Sequence, residues 1–208
     1  MKHINWKIWG ITCAVTLLPI LFGLALWNKL PDTLAIHFDI NNTPDNFASK
    51  GFVVFGLPLL MVVLQTICCI ANDTNAKKFG EKRKLSIATK WVIPVISIVL
   101  QAVTLAYGLG MQIDMRKFAM AIVGCEFLVI GNYLPKLDYI KNYKLEKEKA
   151  RKINRFVGFE TVIMGLLGLV TIFLPPVFSV LWLVLLIPYT IVTVIYGIKV
   201  GKKNKEGI

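Results

Sequence analysis

Apolar residues run through this chain in six long blocks, at about 8–28, 52–71, 91–110, 118–135, 157–175 and 177–198, and the polar residues collect between them. Each block is about 18–22 residues long. At 1.5 Å per residue, a helix of that length crosses a hydrocarbon core of about 30 Å. The pattern predicts six transmembrane helices, with little chain left for a separate soluble domain. Glu126 in the fourth block and Glu160 in the fifth are the charged residues inside these limits. Pro19, Pro58, Pro94 and Pro188 fall within apolar blocks and are expected to kink or locally open them. Pro175-Pro176 leaves so short a connection that the fifth and sixth spans must form a tight antiparallel hairpin.

Positive charge orients the spans. With both termini on the cytoplasmic side, the inside segments are 1–7, 72–90, 136–156 and 199–208, and they hold twenty of the 24 Lys and Arg residues. The outside segments hold only Lys29, Lys50, Arg116 and Lys117. This asymmetry predicts cytoplasmic termini. Trp6, Trp9 and Trp27 sit near the two ends of the first span, as an interfacial belt requires. That span is read as retained rather than as a cleaved signal, because its apolar run is long and no small-residue cleavage site follows it.

Composition narrows the class further. Hydrophobic residues make up 56% of the chain and charged residues 17%, well below the usual quarter for a soluble domain. The formal charge of +12 could suggest nucleic acid, but so apolar a chain does not suit a soluble nucleic-acid binder, and no direct nucleic-acid partner is expected. The fold class is therefore an all-α membrane protein with the bilayer as its first partner. Its parts are an N-terminal membrane domain (1–71), a basic cytoplasmic loop (72–90), a four-helix membrane part (91–198) and a basic tail (199–208).

Residues 29–51 form the one sizeable outside segment. The run Thr33-Leu-Ala-Ile-His-Phe38 is β-prone, and Asn41-Asn-Thr-Pro-Asp45 is turn chemistry, so a short strand and a tight turn are expected. Leu30-Pro31, Ile36-His37-Phe38, Pro44-Asp45 and Ser49-Lys50, placed between two spans, resemble the N-terminal membrane domain of SdpI-like proteins. Gly131-Asn-Tyr-Leu-Pro-Lys136 and Asn154-Arg-Phe-Val-Gly158 resemble the C-terminal part of the same family. After that Pro-Lys the family usually carries Gly-x-Arg and Trp-Thr elements, whereas this chain has a Lys- and Glu-rich stretch. The resemblance implies a multi-pass protein of the bacterial cytoplasmic membrane. It also implies immunity to a secreted antimicrobial peptide toxin and, as in the best-known member, tethering of a cytoplasmic transcriptional repressor.

The candidate site residues fall into three groups. In the outer loop, Pro31, His37, Asp45, Phe47 and Lys50 either contact a toxin or knit the loop to the spans. A metal at His37 with Asp32, Asp39 and Asp45 is a weak alternative, since tight zinc sites need three or four ligands in defined geometry, and no metal or cofactor is expected. Within the membrane, Glu126 lies about nine residues from the inner end of its span, roughly 14 Å deep. Gln101 and Tyr189 fall at similar depth. An intramembrane carboxylate is costly, so Glu126 is either a functional group or a packing device bonded to Gln101 or a backbone carbonyl. At the inner face, Asn132, Lys136, Arg155 and Glu160 form a polar cluster, with Glu160 pairing with Arg155 if the cluster is structural. The segment 141–156 reads as a helical extension of span five, with Lys144–Glu148 and Glu148–Lys152 as i,i+4 pairs. It either attracts anionic lipid or docks a cytoplasmic protein. Gly158, Gly165 and Gly168 read as close-packing positions.

No nucleophile and base share a face, so an enzyme is not expected. The leading function is peptide-toxin immunity. The alternatives are a small proton-coupled carrier with a midplane site at Glu126 and Gln101, and a signalling module holding a regulator.

Overall fold

The computed structural model describes residues 4–79, 83–136 and 147–202. Its helices are α1 (Trp6–Ala25), α2 (Leu57–Phe79), α3 (Arg83–Lys90), α4 (Val92–Gly108), α5 (Met115–Tyr133), α6 (Lys147–Val170) and α7 (Pro176–Lys202). Two strands, β1 (Thr33–Phe38) and β2 (Pro44–Ser49), form an antiparallel hairpin between α1 and α2. Six helical segments are long and apolar enough to cross a membrane: Trp6–Ala25, Phe52–Thr74, Ser86–Gly108, Met115–Lys136, Glu148–Phe173 and Pro176–Gly201. The six expected spans are therefore present. The third starts earlier than the apolar block because α3 runs into α4 across Trp91. The fifth starts earlier because α6 extends through the basic stretch from Lys147, where Lys152 and Glu148 pair at 2.9 Å across one turn. Lys144 lies outside the described residues.

The described residues fall into two compact units, one with spans one to three and the hairpin, the other from Ala119 through span six. In the first, polar side chains on one helix bond backbone carbonyls on another, and for two of them proline or irregular backbone frees the acceptor. Pro94 has no N–H for the Lys90 carbonyl four residues earlier, and Gln65 Nε2 donates to that oxygen at 2.8 Å. The stretch Phe52–Gly56 is a π-helical turn followed by Pro58, and Gln101 Nε2 donates to the Val53 carbonyl at 3.1 Å. Ser97 Oγ donates to the Thr16 carbonyl at 3.0 Å, one residue after the Val15 carbonyl whose helical donor Pro19 lacks. Pro19 and Pro188 lie inside α1 and α7, while Pro58 and Pro94 sit in the first turns of α2 and α4, where a missing donor costs least. The backbone opening at those two lies just ahead of the proline. In hydrocarbon an uncapped carbonyl has no water to turn to, which is why buried Gln65 and Gln101 suit these positions.

In the second unit, glycines let α5 and α6 touch. A Cβ on Gly131 would stand 2.7 Å from the Gly158 carbonyl, and one on Gly158 would stand 2.7 Å from that of Gly131. Gly124 and Gly165 repeat the arrangement seven residues earlier on α5 and seven later on α6, at 3.1 and 2.8 Å. Gly168 faces the ring of Trp182 on α7, whose Nε1 donates to the Met164 carbonyl at 2.8 Å. Gly158, Gly165 and Gly168 are thus the close-packing positions expected of small residues between membrane helices. A 3₁₀ turn at Thr171–Phe173 joins α6 to α7, with Ser179 Oγ reaching Thr171 Oγ1 at 3.2 Å.

Candidate functional site

The hairpin is the most built feature of the first unit. Its turn is closed by Asp39, whose carboxylate accepts the backbone N–H groups of Asn41 and Thr43, and by Asn42 in the left-handed region at φ 62°. Asn42 then clamps the α4–α5 connection. Its Nδ2 donates to the Ile113 carbonyl at 2.8 Å, and its Oδ1 accepts the Met115 N–H at 2.8 Å, which caps the start of α5. Phe38 packs edge-on to Tyr107 at 4.8 Å. Leu34 enters a core with Leu30, Val53, Val54 and Leu105. Lys50, named as a contact candidate, turns inward: its Nζ donates to the Leu30 carbonyl and to Asp32 at 3.3 Å each, and sits 5.0 Å from the Trp27 ring centre.

Other side chains of the hairpin stay exposed. His37 Nδ1 and Asp45 Oδ1 lie 2.5 Å apart with both side chains well exposed. Ile36, Ile40 and Phe47 are exposed beside them, as is Pro31 at the base. Asp32, Asp39 and Asp45 each turn to a different partner, so they do not converge with His37 on a metal-sized site.

At the end of the first unit away from the hairpin lies a charge pair that the hydropathy pattern hid. Lys90 is only 1% exposed, and its Nζ meets Asp73 Oδ1 at 2.5 Å. Asp73 Oδ2 also accepts the Asn5 N–H at 3.0 Å, which ties the start of α1 to α2 and to the end of α3. Ser86 donates to Asn72 Oδ1 at 2.5 Å beside the pair. In the sequence Lys90 counts as one basic residue of a solvated loop, but here it is a buried cation with one carboxylate to answer it. The available signal was its position directly before Trp91 and an apolar block, where a long side chain has no room to stay in water.

The intramembrane candidates have these partners within their own units. Gln101 is spent on the Val53 carbonyl, and the Tyr189 hydroxyl pairs with Thr161 Oγ1 at 2.8 Å. Glu126 Oε1 is buried with no hydrogen-bond partner among the described residues. The inner-face cluster divides. Asn132, Lys136 and Arg155 line one groove between α5 and α6. Glu160 turns to α7 instead, where its Oε2 accepts from Thr193 Oγ1 at 3.2 Å, and it lines a separate cavity with Tyr189 and Pro188. The expected Glu160–Arg155 pair is replaced by this bond, because Glu160 is two residues past the glycine that faces α5 and so projects from another side of α6.

These features define a multi-pass helical membrane protein with a small extramembrane hairpin after its first span. Residues 14–62, just under a quarter of the chain, match a family described as "Domain of unknown function (DUF1648)". The matched segment runs from α1 through the hairpin into α2. No curated protein and no solved structure matches the chain.

Proposed function

We propose that this protein protects a bacterial cell from a secreted antimicrobial peptide, with its hairpin on the outer face of the cytoplasmic membrane. The carrying observation is that the hairpin is fixed in place and still keeps several side chains exposed. It is locked by the Asn42 clamp, Phe38 on Tyr107 and the inward Lys50, yet it leaves Ile36, Phe47 and the His37–Asp45 pair in the open. A surface fixed in advance loses little entropy on binding, and its exposed side chains offer apolar area with a directional polar pair. The family match covers this same segment, and its residues are those that resemble SdpI-like proteins. The basic inner-side segments supply the orientation and a surface on which a cytoplasmic repressor could be held.

The test is survival of a sensitive strain expressing the protein under challenge with secreted peptide toxins. His37→Ala and Phe47→Ala should lower survival several-fold at unchanged membrane abundance and unchanged melting temperature. A cysteine placed at position 43 of a Cys-free variant should react with an impermeant thiol reagent in intact cells. Survival that falls only in step with melting temperature would make the exposed side chains structural and remove the contact reading.

A further inference from the structure

We infer that the groove between α5 and α6 at Asn132, Lys136 and Arg155 is a specific site for one anionic phospholipid, with its phosphate at the two cations. The groove has a volume of about 540 Å³ and lies beside the Gly131–Gly158 crossing, where the two backbones meet and nothing larger than hydrogen fits between them. Lys136 Nζ takes Asn132 Oδ1 at 3.1 Å and lies 5.0 Å from the Tyr133 ring centre, which holds the ammonium at the rim. That bond leaves the Asn132 amide N–H groups as donors. The Arg155 guanidinium makes no hydrogen bond or ion pair with the described residues, and none of the lining residues is acidic. The nearest carboxylate along α6, Glu160, is committed to Thr193 on the other side.

Two cations and an amide donor, with no carboxylate among the described lining residues, call for an anion, and a guanidinium matches the oxygens of a phosphate in a fork. The rest of the lining decides what carries that phosphate. Pro135, Phe159 and Val162 make it half apolar, and Phe159 is 67% exposed. Lys136 closes the fourth span and Arg155 lies in the first two turns of the fifth, so the groove opens at headgroup level and runs into the membrane along Phe159. A free phosphate would leave that apolar half uncovered. A phospholipid fills both halves, its headgroup at the rim and its acyl chain along Phe159 and Val162.

The experiment is native mass spectrometry of the full-length protein in detergent, titrated with phosphatidylglycerol or with phosphatidylcholine of the same chains. With each cation near an anionic lipid contributing on the order of 1 kcal/mol, retention of phosphatidylglycerol should exceed that of phosphatidylcholine by about tenfold or more. Lys136→Ala with Arg155→Ala should abolish the preference, Arg155→Lys should keep part of it, and Lys199→Ala on α7 should keep all of it. Melting temperatures of the lipid-free variants check that the fold survives, and Arg155→Lys carries the test if the double variant does not fold. Equal retention of the two lipids, an unchanged preference in the double variant or in a misfolding-free Arg155→Ala, or displacement by soluble glycerol phosphate at equal concentration would each overturn the inference.

Discussion

Replacing Lys90 by Met takes the cation from a carboxylate that has one other partner among the described residues, the Asn5 N–H at 3.0 Å. Asp73 would then be a nearly buried charge with a single hydrogen bond. Breaking a buried pair from one side costs about 3–5 kcal/mol, because the charge left behind keeps its desolvation penalty. Asp73→Asn strands the ammonium of Lys90 in the same way, while keeping an oxygen for Asn5. The double variant Asp73→Asn, Lys90→Met removes both charges and retains that acceptor. The Lys90 carbonyl also keeps its bond from Gln65, since it belongs to the backbone. The double variant should therefore lose less than about 2 kcal/mol, which corresponds to a favourable coupling of several kcal/mol between the two positions. For a chain of this length each kcal/mol moves the melting temperature by about 2–4 °C, so each single variant should melt roughly 6–20 °C lower. The assay is thermal unfolding in one detergent, followed by loss of helical circular dichroism, for the four members of the cycle. Single costs below about 1 kcal/mol, or a double cost equal to their sum, would show that the pair is not the buried tie described.

Two further outcomes follow from the second unit. Gly158→Ala puts a methyl 2.7 Å from both the Gly131 carbonyl and Pro135 Cδ and should cost about 1–3 kcal/mol by overpacking, whereas Gly197→Ala meets nothing within 4 Å and should be neutral or slightly stabilising. Equal melting temperatures for the two would refute the close crossing. Glu126→Gln keeps the shape of a half-buried side chain whose Oε1 has no partner among the described residues, so abundance and protection should both persist. Loss of protection at normal abundance would favour the carrier reading, in which that carboxylate exchanges a proton.

The spans, their number and the strand–turn character of residues 33–45 were legible along the chain because each is a local property. A hydrocarbon core rejects unpaired backbone, so an apolar run of sufficient length must be helical whatever lies beside it. Asn, Thr, Pro and Asp favour a turn for reasons internal to those residues. The glycines of α6 were readable as packing positions for the same reason, but their partners were not: Gly131 meets Gly158 and Gly124 meets Gly165 only once an antiparallel register is chosen. Equal depth along the membrane normal put Glu126, Gln101 and Tyr189 at one level, with Glu126 and Gln101 as the alternative carrier site. Depth does not say which way a side chain points, and Gln101 and Tyr189 each found another partner. Hydropathy placed Lys90 in a basic loop because a window average cannot see Asp73, seventeen residues earlier on another helix. Whether a charge at the edge of a span is solvated or buried depends on which helix lies against it, and that was decided by the packing of α1, α2 and α3 around the pair.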